Sequence, residues 1–275
     1  MSAPRPQSPR ISLCIPHWQV RDMMSICLRS IRKHSRKYDL EVIVVDNGSR
    51  DDSLEYLRSL SWIRLIERPE ERVANWPANV FTAWDLGVRM ARGEFFVTMH
   101  SDVFIRQDDW LDPLLREIDA TGVAASGAWK LALESPFYAW QKQAVGLCLA
   151  QLKRLFGRQT RSSFRVRQYP RDYCAMYRTA VIVGEQLTFC PGDDLLTGGY
   201  SIARQLWSRG YETRQVPVCE MARRIVHVAH GTAAVSSKKP LQHRAAQRRT
   251  EDRARALLAE DWVEQLRRDA QLDAA

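Results

Sequence analysis

The sequence feature that most constrains the fold is an apolar run that breaks abruptly into acidic and turn-forming residues. Residues 41–45 read EVIVV, and the chain continues as DNGSRD through residue 51. A short continuous apolar run rich in β-branched residues is typical of a strand buried on both faces in a parallel sheet. Ligands of open α/β sheets bind beyond the carboxyl ends of the strands, so Asp46 is predicted to meet a small molecule. A strand followed by a turn and a helix N-cap is the alternative.

A second segment repeats this design. Residues 93–103 read GEFFVTMHSDV, an apolar run that ends in a polar cluster containing Asp102. Between the two segments, residues 73–92 carry apolar side chains at helical spacing until Gly93 ends the pattern. With a first strand at residues 11–16, the order is strand, helix, strand, helix, short strand, helix, strand. This alternation predicts an α/β fold with a mostly parallel sheet flanked by helices on both faces.

Four motifs in the same order resemble those of the family 2 glycosyltransferases, inverting enzymes with the GT-A fold. They are CIP at residues 14–16, VDNGSRD at 45–51, AWDLG at 83–87 and ARGE at 91–94. The third motif departs from the family, because Asp85 stands where relatives carry asparagine.

The resemblance extends well over residues 11 to about 118 and only loosely beyond them. It implies a GT-A-like domain at residues 10–235, with a nucleotide-sugar-binding half at 10–118 and an acceptor and catalytic half at 119–235. Residues 236–275 are predicted to form a basic helical tail.

The resemblance also implies roles for single residues in the first half. Asp46 would read the nucleotide base, and the donor pocket would include Pro16, Ser49, Asp85 and Ser101. Asp102 would contact Mn²⁺ or Mg²⁺, which neutralises a diphosphate leaving group. Many relatives carry two acids here, whereas this chain has only Asp102 after His100 and Ser101. His100 is either an extra ligand suited to a softer ion such as Mn²⁺ or, as we favour, an ordinary polar residue at a strand end.

In the second half, the resemblance places a catalytic base before a helix that ends in Gly-Tyr. Asp194 is the candidate for this base, with Asp193 as its neighbour or alternate, since a carboxylate can accept the proton of an attacking hydroxyl. Many relatives carry their acids about one turn nearer the Gly-Tyr, at positions held here by Gly198 and Gly199. The acidic pair could instead cap the following helix.

A histidine near the end of the domain could complete the metal site, as in some family members. Residues 225–232 read IVHVAHGT and predict a short strand that runs into a turn. His227 and His230 both qualify by position, and the location of His230 beside Gly231 favours it slightly. A purely structural role is the alternative for each.

Composition and charge place the chain among cytoplasmic enzymes. Its six cysteines are scattered, which argues against a zinc site or a disulfide framework, and no apolar stretch is long enough to span a membrane. The net charge is +9. Part of this excess of positive charge lies in a predicted amphipathic helix at residues 138–157 and an arginine-rich loop at 158–171. These could lie peripherally on the inner, anionic face of a membrane and suit a lipid-linked acceptor, or they could simply be solvated.

The tail is predicted to dock through a narrow apolar stripe formed by Leu257, Leu258, Trp262 and Leu266. Acidic residues interrupt its basic run and argue against nucleic acid as a partner.

The sequence therefore predicts metal-dependent, inverting transfer of a sugar from a nucleotide-diphosphate donor to a hydroxyl acceptor. A bacterial cell-envelope glycan or glycolipid is the expected acceptor. One alternative is a catalytically silent relative that binds a nucleotide or glycan as an assembly partner. The other is a sugar nucleotidyltransferase, although such enzymes usually carry a glycine-rich loop after the first strand, where this chain reads PHWQV at residues 16–20.

Overall fold

The computed structural model describes residues 10–68, 76–129, 169–190, 197–228 and 252–274, with three isolated positions between 145 and 155. The first half comprises β1 (Ile11–His17), α1 (Arg21–His34), β2 (Leu40–Asp46), α2 (Ser53–Ser59), β3 (Ile63–Glu67), α3 (Trp76–Met90), β4 (Phe95–Met99), β5 (Val103–Ile105) and α4 (Asp112–Ile118). The alternation from β1 to β4 is the one that the sequence predicts.

The second half is assembled from more widely spaced segments. It comprises β6 (Val123–Ala128), β7 (Cys174–Arg178), α5 (Thr179–Gly184), α6 (Gly198–Ser208), β8 (Glu212–Val216), α7 (Val218–Arg224) and β9 (Ile225–His227). Residues 252–258 are helical and are labelled α8, and α9 (Asp261–Arg268) precedes a 3₁₀ turn at Ala270–Asp273.

The described strands form a seven-stranded sheet in the order β3-β2-β1-β4-β7-β6-β8 and a two-stranded sheet of β5 and β9. In the large sheet, only β7 runs antiparallel to its neighbours β4 and β6. The carboxyl ends of β1 to β4 therefore lie along one edge, which we call the carboxyl edge, and β7 begins at that edge. The predicted α/β class with a mostly parallel sheet is confirmed.

Helices cover the sheet because its strands are apolar on both faces. The residues of β1 and β4 are all buried, as expected for central strands. On one face, α3 approaches β1 so closely that a Cβ atom on Gly87 would lie 2.3 Å from the Cys14 sulfur. Glycine at this position is therefore required for the helix to pack against the strand.

The C-terminal segment packs against α1 and joins the main core. Leu257 and Leu266, two members of the predicted apolar stripe, are buried there, while Leu258 and Trp262 are partly buried. The guanidinium of Arg29 donates to both carboxylate oxygens of Asp273, at 2.9 and 2.5 Å. These contacts hold residues 252–274 against the first half of the chain.

The sequence predicts that the chain has no membrane-spanning segment and that residues 138–171 could lie on a membrane surface. The structure describes most of the chain but only a few residues of that segment. In the part of the chain that the structure describes, none of the helices combines the length and the apolar character needed to cross a bilayer. The predicted amphipathic helix at 138–157 and the loop at 158–171 lie outside the described residues, apart from the isolated positions and residues 169–171.

Candidate functional site

Asp46 ends β2 and organises the turn that follows. Its side chain is 1% exposed. One carboxylate oxygen accepts hydrogen bonds from the backbone N–H groups of Gly48, at 3.1 Å, and Ser49, at 2.9 Å. The other oxygen accepts the Ser49 hydroxyl. The carboxylate thus shapes the loop at the carboxyl edge, and its predicted role in reading a nucleotide base stays a prediction.

The loop after β2 is tied to the loop after β1. The Ser49 hydroxyl oxygen accepts the backbone N–H of Gln19 at 2.8 Å, and Asp51 accepts that of Val20 at 2.8 Å. Gln19 and Val20 have positive φ angles of 55° and 63°, which non-glycine residues rarely adopt. Such a conformation costs about 1–3 kcal/mol and persists only where surrounding contacts impose it. The two loops therefore form one fixed rim.

His17 lies beneath this rim, and sequence reasoning missed it. It is the last residue of β1, pairs in register with Asp46 and is 2% exposed. Neither ring nitrogen has a hydrogen-bond partner among the described residues. Burial lowers the pKa of this imidazole to about 4, although the carboxylates of Asp46 and Asp51 oppose the shift. His17 is therefore neutral near pH 7.

Asp102 lies in the turn that connects β4 to β5. The Val103 N–H donates to the His100 carbonyl at 3.2 Å and closes the turn. Antiparallel pairing of β5 with β9 sets Val103 opposite His227, and the Val228 N–H donates to the Asp102 carbonyl at 3.0 Å. The small sheet thereby carries a histidine from the far part of the chain to Asp102.

Three side chains converge at this point in an arrangement suited to a divalent cation. One carboxylate oxygen of Asp102 lies 3.4 Å from His227 Nε2 and 3.8 Å from His100 Nδ1. All three potential ligand atoms lie within 4.8 Å of one another. Donors bound at about 2.1 Å to one ion lie about 3 Å apart at right angles and about 4.2 Å apart on opposite sides. The donor set and its spacing therefore fit a bound cation.

Aromatic rings hold the two imidazoles in place. The Trp84 ring stacks on His100, with ring centroids 5.6 Å apart and planes at 16°. Tyr173 stacks on His227 at 4.9 Å and 15°, and its hydroxyl donates to the Trp129 carbonyl at 3.0 Å. The two imidazoles meet edge to face at 5.5 Å. No pattern in the sequence indicates this row of four rings.

The other predicted donor-site residues lie in different elements of the first half. Pro16 is buried in β1 beside Val45, and Ser101 lies in the turn just before Asp102. Asp85, on α3, accepts the Thr188 hydroxyl and the Phe189 backbone N–H, the latter at 2.7 Å. Asp85 thus tethers α3 to the residues just before position 191. A direct role for these side chains in donor binding stays a prediction.

The two predicted catalytic residues and one predicted metal ligand lie outside the described residues. These are Asp193, Asp194 and His230. The helix after the acidic pair, α6, has Thr197 as its N-cap residue, and the Thr197 side chain accepts the Tyr200 N–H at 3.3 Å. The capping alternative for the acidic pair is therefore not needed to start this helix.

Gly198 and Gly199 form the first turn of α6 in close contact with other segments. A Cβ atom at Gly198 would lie 2.6 Å from the Phe81 ring. The backbone N–H of Gly199 donates to the carboxylate of Asp172 at 3.3 Å. A larger side chain at position 198 would require Phe81 to move.

Two solved structures share this fold. One is the mannosyltransferase PcManGT from Pyrobaculum calidifontis, in complex with GDP-Man and Mn²⁺, with a TM-score of 0.53 and 18% identity. The match covers 96% of this chain and 75% of that protein. The other is residues 1–349 of TarS from S. aureus, with a TM-score of 0.53 and 15% identity over 89% of this chain and 70% of that one. At these identities the similarity shows the GT-A fold.

A curated relative matches a shorter stretch. The protein y4gI of Sinorhizobium fredii (strain NBRC 101917 / NGR234) is 29% identical over 130 residues, or 46% of this chain. The match spans only 14% of the length of y4gI. The model of the family described as glycosyl transferase family 2 matches residues 12–183, more than half of the 275 residues. This match includes the strands that carry Asp46 and lead to Asp102, and the chain therefore belongs to glycosyl transferase family 2.

Proposed function

We propose that the protein is a metal-dependent inverting glycosyltransferase that moves a sugar from a nucleotide-diphosphate donor to a hydroxyl acceptor. The observation that carries this proposal is the convergence of Asp102 and His227 at the carboxyl edge of a family 2 domain. Open α/β sheets bind their ligands at that edge. A cation site beside the loops after β1 and β2 suits a ligand that has both a base and a diphosphate.

The donor would lie across the two loops and the cation site. Pro16, Asp46 and Ser49 would line the pocket for the base, with Asp85 and Ser101 nearer the sugar and diphosphate. Asp102 and His227 would hold Mn²⁺ or Mg²⁺, with His230 as a further candidate ligand. When bound, such an ion neutralises the negative charge that develops on the departing diphosphate. The Mn²⁺ and GDP-Man in the complex of PcManGT support this class of ligand.

The chain itself would supply the proton acceptor. The acceptor hydroxyl forms a bond to the anomeric carbon while the bond from that carbon to the diphosphate oxygen breaks, which inverts the configuration. The hydroxyl proton passes to a carboxylate, for which Asp194 is the candidate and Asp193 the alternate. Both lie in the segment that follows the loop held by Asp85.

The acceptor is proposed to be a bacterial cell-envelope glycan or glycolipid. The basic composition of residues 138–171 supports an anionic partner, and a lipid-linked acceptor would place the enzyme peripherally at the inner face of the membrane. Such a location would be cytoplasmic.

A second candidate function is a silent relative that binds a donor nucleotide without turnover. The observation that favours it is the tight packing of Gly198 against Phe81, which leaves no room for the acidic side chain that the resemblance expects there. In that case the carboxyl edge would still bind a nucleotide and its cation.

Donor turnover separates these two functions. The assay would measure nucleoside diphosphate released from UDP-, GDP-, dTDP- and CDP-sugars with Mn²⁺ and an extract of bacterial cell-envelope glycans and glycolipids as the hydroxyl acceptor. It would use the wild type, Asp194→Asn and Asp193→Asn. We expect one donor to turn over and at least one variant to lose about 100-fold or more, since a general base contributes about 10²–10⁴-fold. Nucleotide binding without turnover of any donor would instead support the silent relative.

A further inference from the structure

We propose that His100 is a direct ligand of the cation and that it makes the site select first-row transition ions such as Mn²⁺ over Mg²⁺. This inference rests on the proposed function only in that the site binds a divalent cation. It concerns the imidazole two residues before Asp102 in the turn after β4.

The position of His100 is the first argument. Its Nδ1 atom lies 3.8 Å from the Asp102 oxygen that also faces His227. The side chain is 33% exposed, so the ring is partly shielded from solvent. A polar residue with no role beyond solvation would not need this shared orientation toward Asp102.

The rigidity of His100 is the second argument. Its backbone N–H donates to the Tyr173 carbonyl at 3.1 Å, and its ring stacks on Trp84. Trp84 is fully buried and packs against Phe81 and Phe189, at centroid distances of 6.1 and 5.8 Å. Trp84 is thus a positioning residue for His100. Ligands held in one orientation before the ion arrives give a site its geometric selectivity.

The chemistry of the donor set is the third argument. Two imidazoles and one carboxylate offer two nitrogens and an oxygen. Mg²⁺ prefers oxygen ligands and gives up its waters reluctantly, whereas transition ions accept imidazole with affinities that rise from Mn²⁺ through Co²⁺. One carboxylate also leaves a divalent ion with a net positive charge. A diphosphate would supply the missing negative charge, so cation and diphosphate should strengthen each other's binding.

The test measures the ion directly, without turnover. Mn²⁺ would be bound to the full chain, and pulsed electron paramagnetic resonance would report the ¹⁴N nuclei coupled to it. The variants are His100→Gln and His227→Gln. The matched control is His34→Gln, because His34, at the end of α1, pairs with Asp108 and lies outside the cluster. Competition between Mg²⁺ and Mn²⁺ would be measured for the wild type and for His100→Asp.

The inference predicts that the wild type and the control show the same number of coupled imidazole nitrogens, at least two, and that each single variant shows one fewer. It also predicts that His100→Asp shifts relative affinity toward Mg²⁺ by about tenfold or more, because an oxygen ligand replaces a nitrogen. The Asp variant provides a second readout should His100→Gln fold poorly.

Two results would overturn the inference, and only one of them would also contradict the proposed function. If His100→Gln shows as many coupled nitrogens as the wild type, His100 is not a ligand, and the proposed function stands. If the wild type binds no Mn²⁺, even with pyrophosphate present, the inference and the metal-dependent part of the proposed function both fall.

Discussion

Asp46 and Asp102 follow strands that end at the same edge of the sheet, yet they have different surroundings. Both carboxylates are almost fully buried, at 1% and 5% exposure. Asp46 accepts hydrogen bonds from the loop that directly follows it. Asp102 faces imidazoles from its own turn and from β9. An apolar run that ends in aspartate thus predicts where a carboxylate lies, while the residues around it determine whether its oxygens accept hydrogen bonds from the following loop or face imidazoles.

The largest stability effect is expected for Asp46→Ala. The substitution removes the acceptor of two backbone N–H groups and a hydroxyl, and each buried donor left without a partner costs about 1–3 kcal/mol. We therefore expect the free energy of unfolding to fall by about 3–5 kcal/mol, with or without a divalent ion. Urea unfolding measures this loss.

Asp102→Asn is the matched comparison. Without metal, its free energy of unfolding should stay within about 1 kcal/mol of the wild type, because the amide keeps the shape of the side chain and one acceptor oxygen. An equal loss of stability in the two variants would remove the proposed difference between the carboxylates.

His17, which lies beside Asp46, should make the free energy of unfolding depend on pH. The size of this effect should be similar to or smaller than the loss expected for Asp46→Ala. The pKa of His17 is lowered to about 4 from an ordinary value of 6.5, so between these pH values the unfolded chain binds a proton that the folded chain excludes. Stability from this group is fully present above pH 6.5 and is lost as the pH falls toward 4, for a total of about 3 kcal/mol.

Comparison with His17→Leu isolates this contribution from those of other titrating groups. Unfolding free energies measured from pH 7.5 down to 4.5 should fall more steeply for the wild type than for the variant. Parallel curves for the two proteins would show that His17 titrates alike in the folded and unfolded chains, against this account.

The smallest effect is expected for Ser49→Ala, which breaks the link between the two loops but leaves Asp46 in place. The variant loses one hydroxyl donor to Asp46 and the acceptor of the Gln19 N–H. We expect a loss of about 1–2 kcal/mol in urea unfolding. The control is Ser59→Ala, whose hydroxyl donates only within α2, and it should change stability by less than about 0.5 kcal/mol. Equal effects would mean that the rim is not held through Ser49.

The sequence predicted the parts of the site that local pattern determines. Buried strands show as apolar runs, and the residues that follow them must lie at the carboxyl edge, so the positions of Asp46 and Asp102 could be read from the chain. The structure also places His227, one of two histidines predicted by position, beside Asp102. The position of His227 beside Asp102 could not come from sequence, because it depends on the pairing of β5 with β9.

Other features of the site could not be predicted from sequence, because they too depend on contacts between distant segments. His100 gains its stacking partner from α3, and neither the register of that helix nor the burial of Trp84 against Phe189 is visible in a local pattern. His17 was missed because a histidine at the end of an apolar strand gives no sign of its burial. The widely spaced segments of the second half produce contacts, such as that between Gly199 and Asp172, for which spacing offers no rule.

The measurement that tests the central claim most directly is thermal unfolding of the wild type and Asp102→Ala with UDP, GDP, dTDP and CDP, each with and without Mn²⁺. A ligand at about 100 times its dissociation constant stabilises a fold by about 2.7 kcal/mol. The account predicts that one nucleoside diphosphate stabilises the wild type only when Mn²⁺ is present, and that Asp102→Ala abolishes this gain. If every diphosphate leaves the wild type unchanged, or if Asp102→Ala keeps the full gain, the cation-dependent donor site is contradicted.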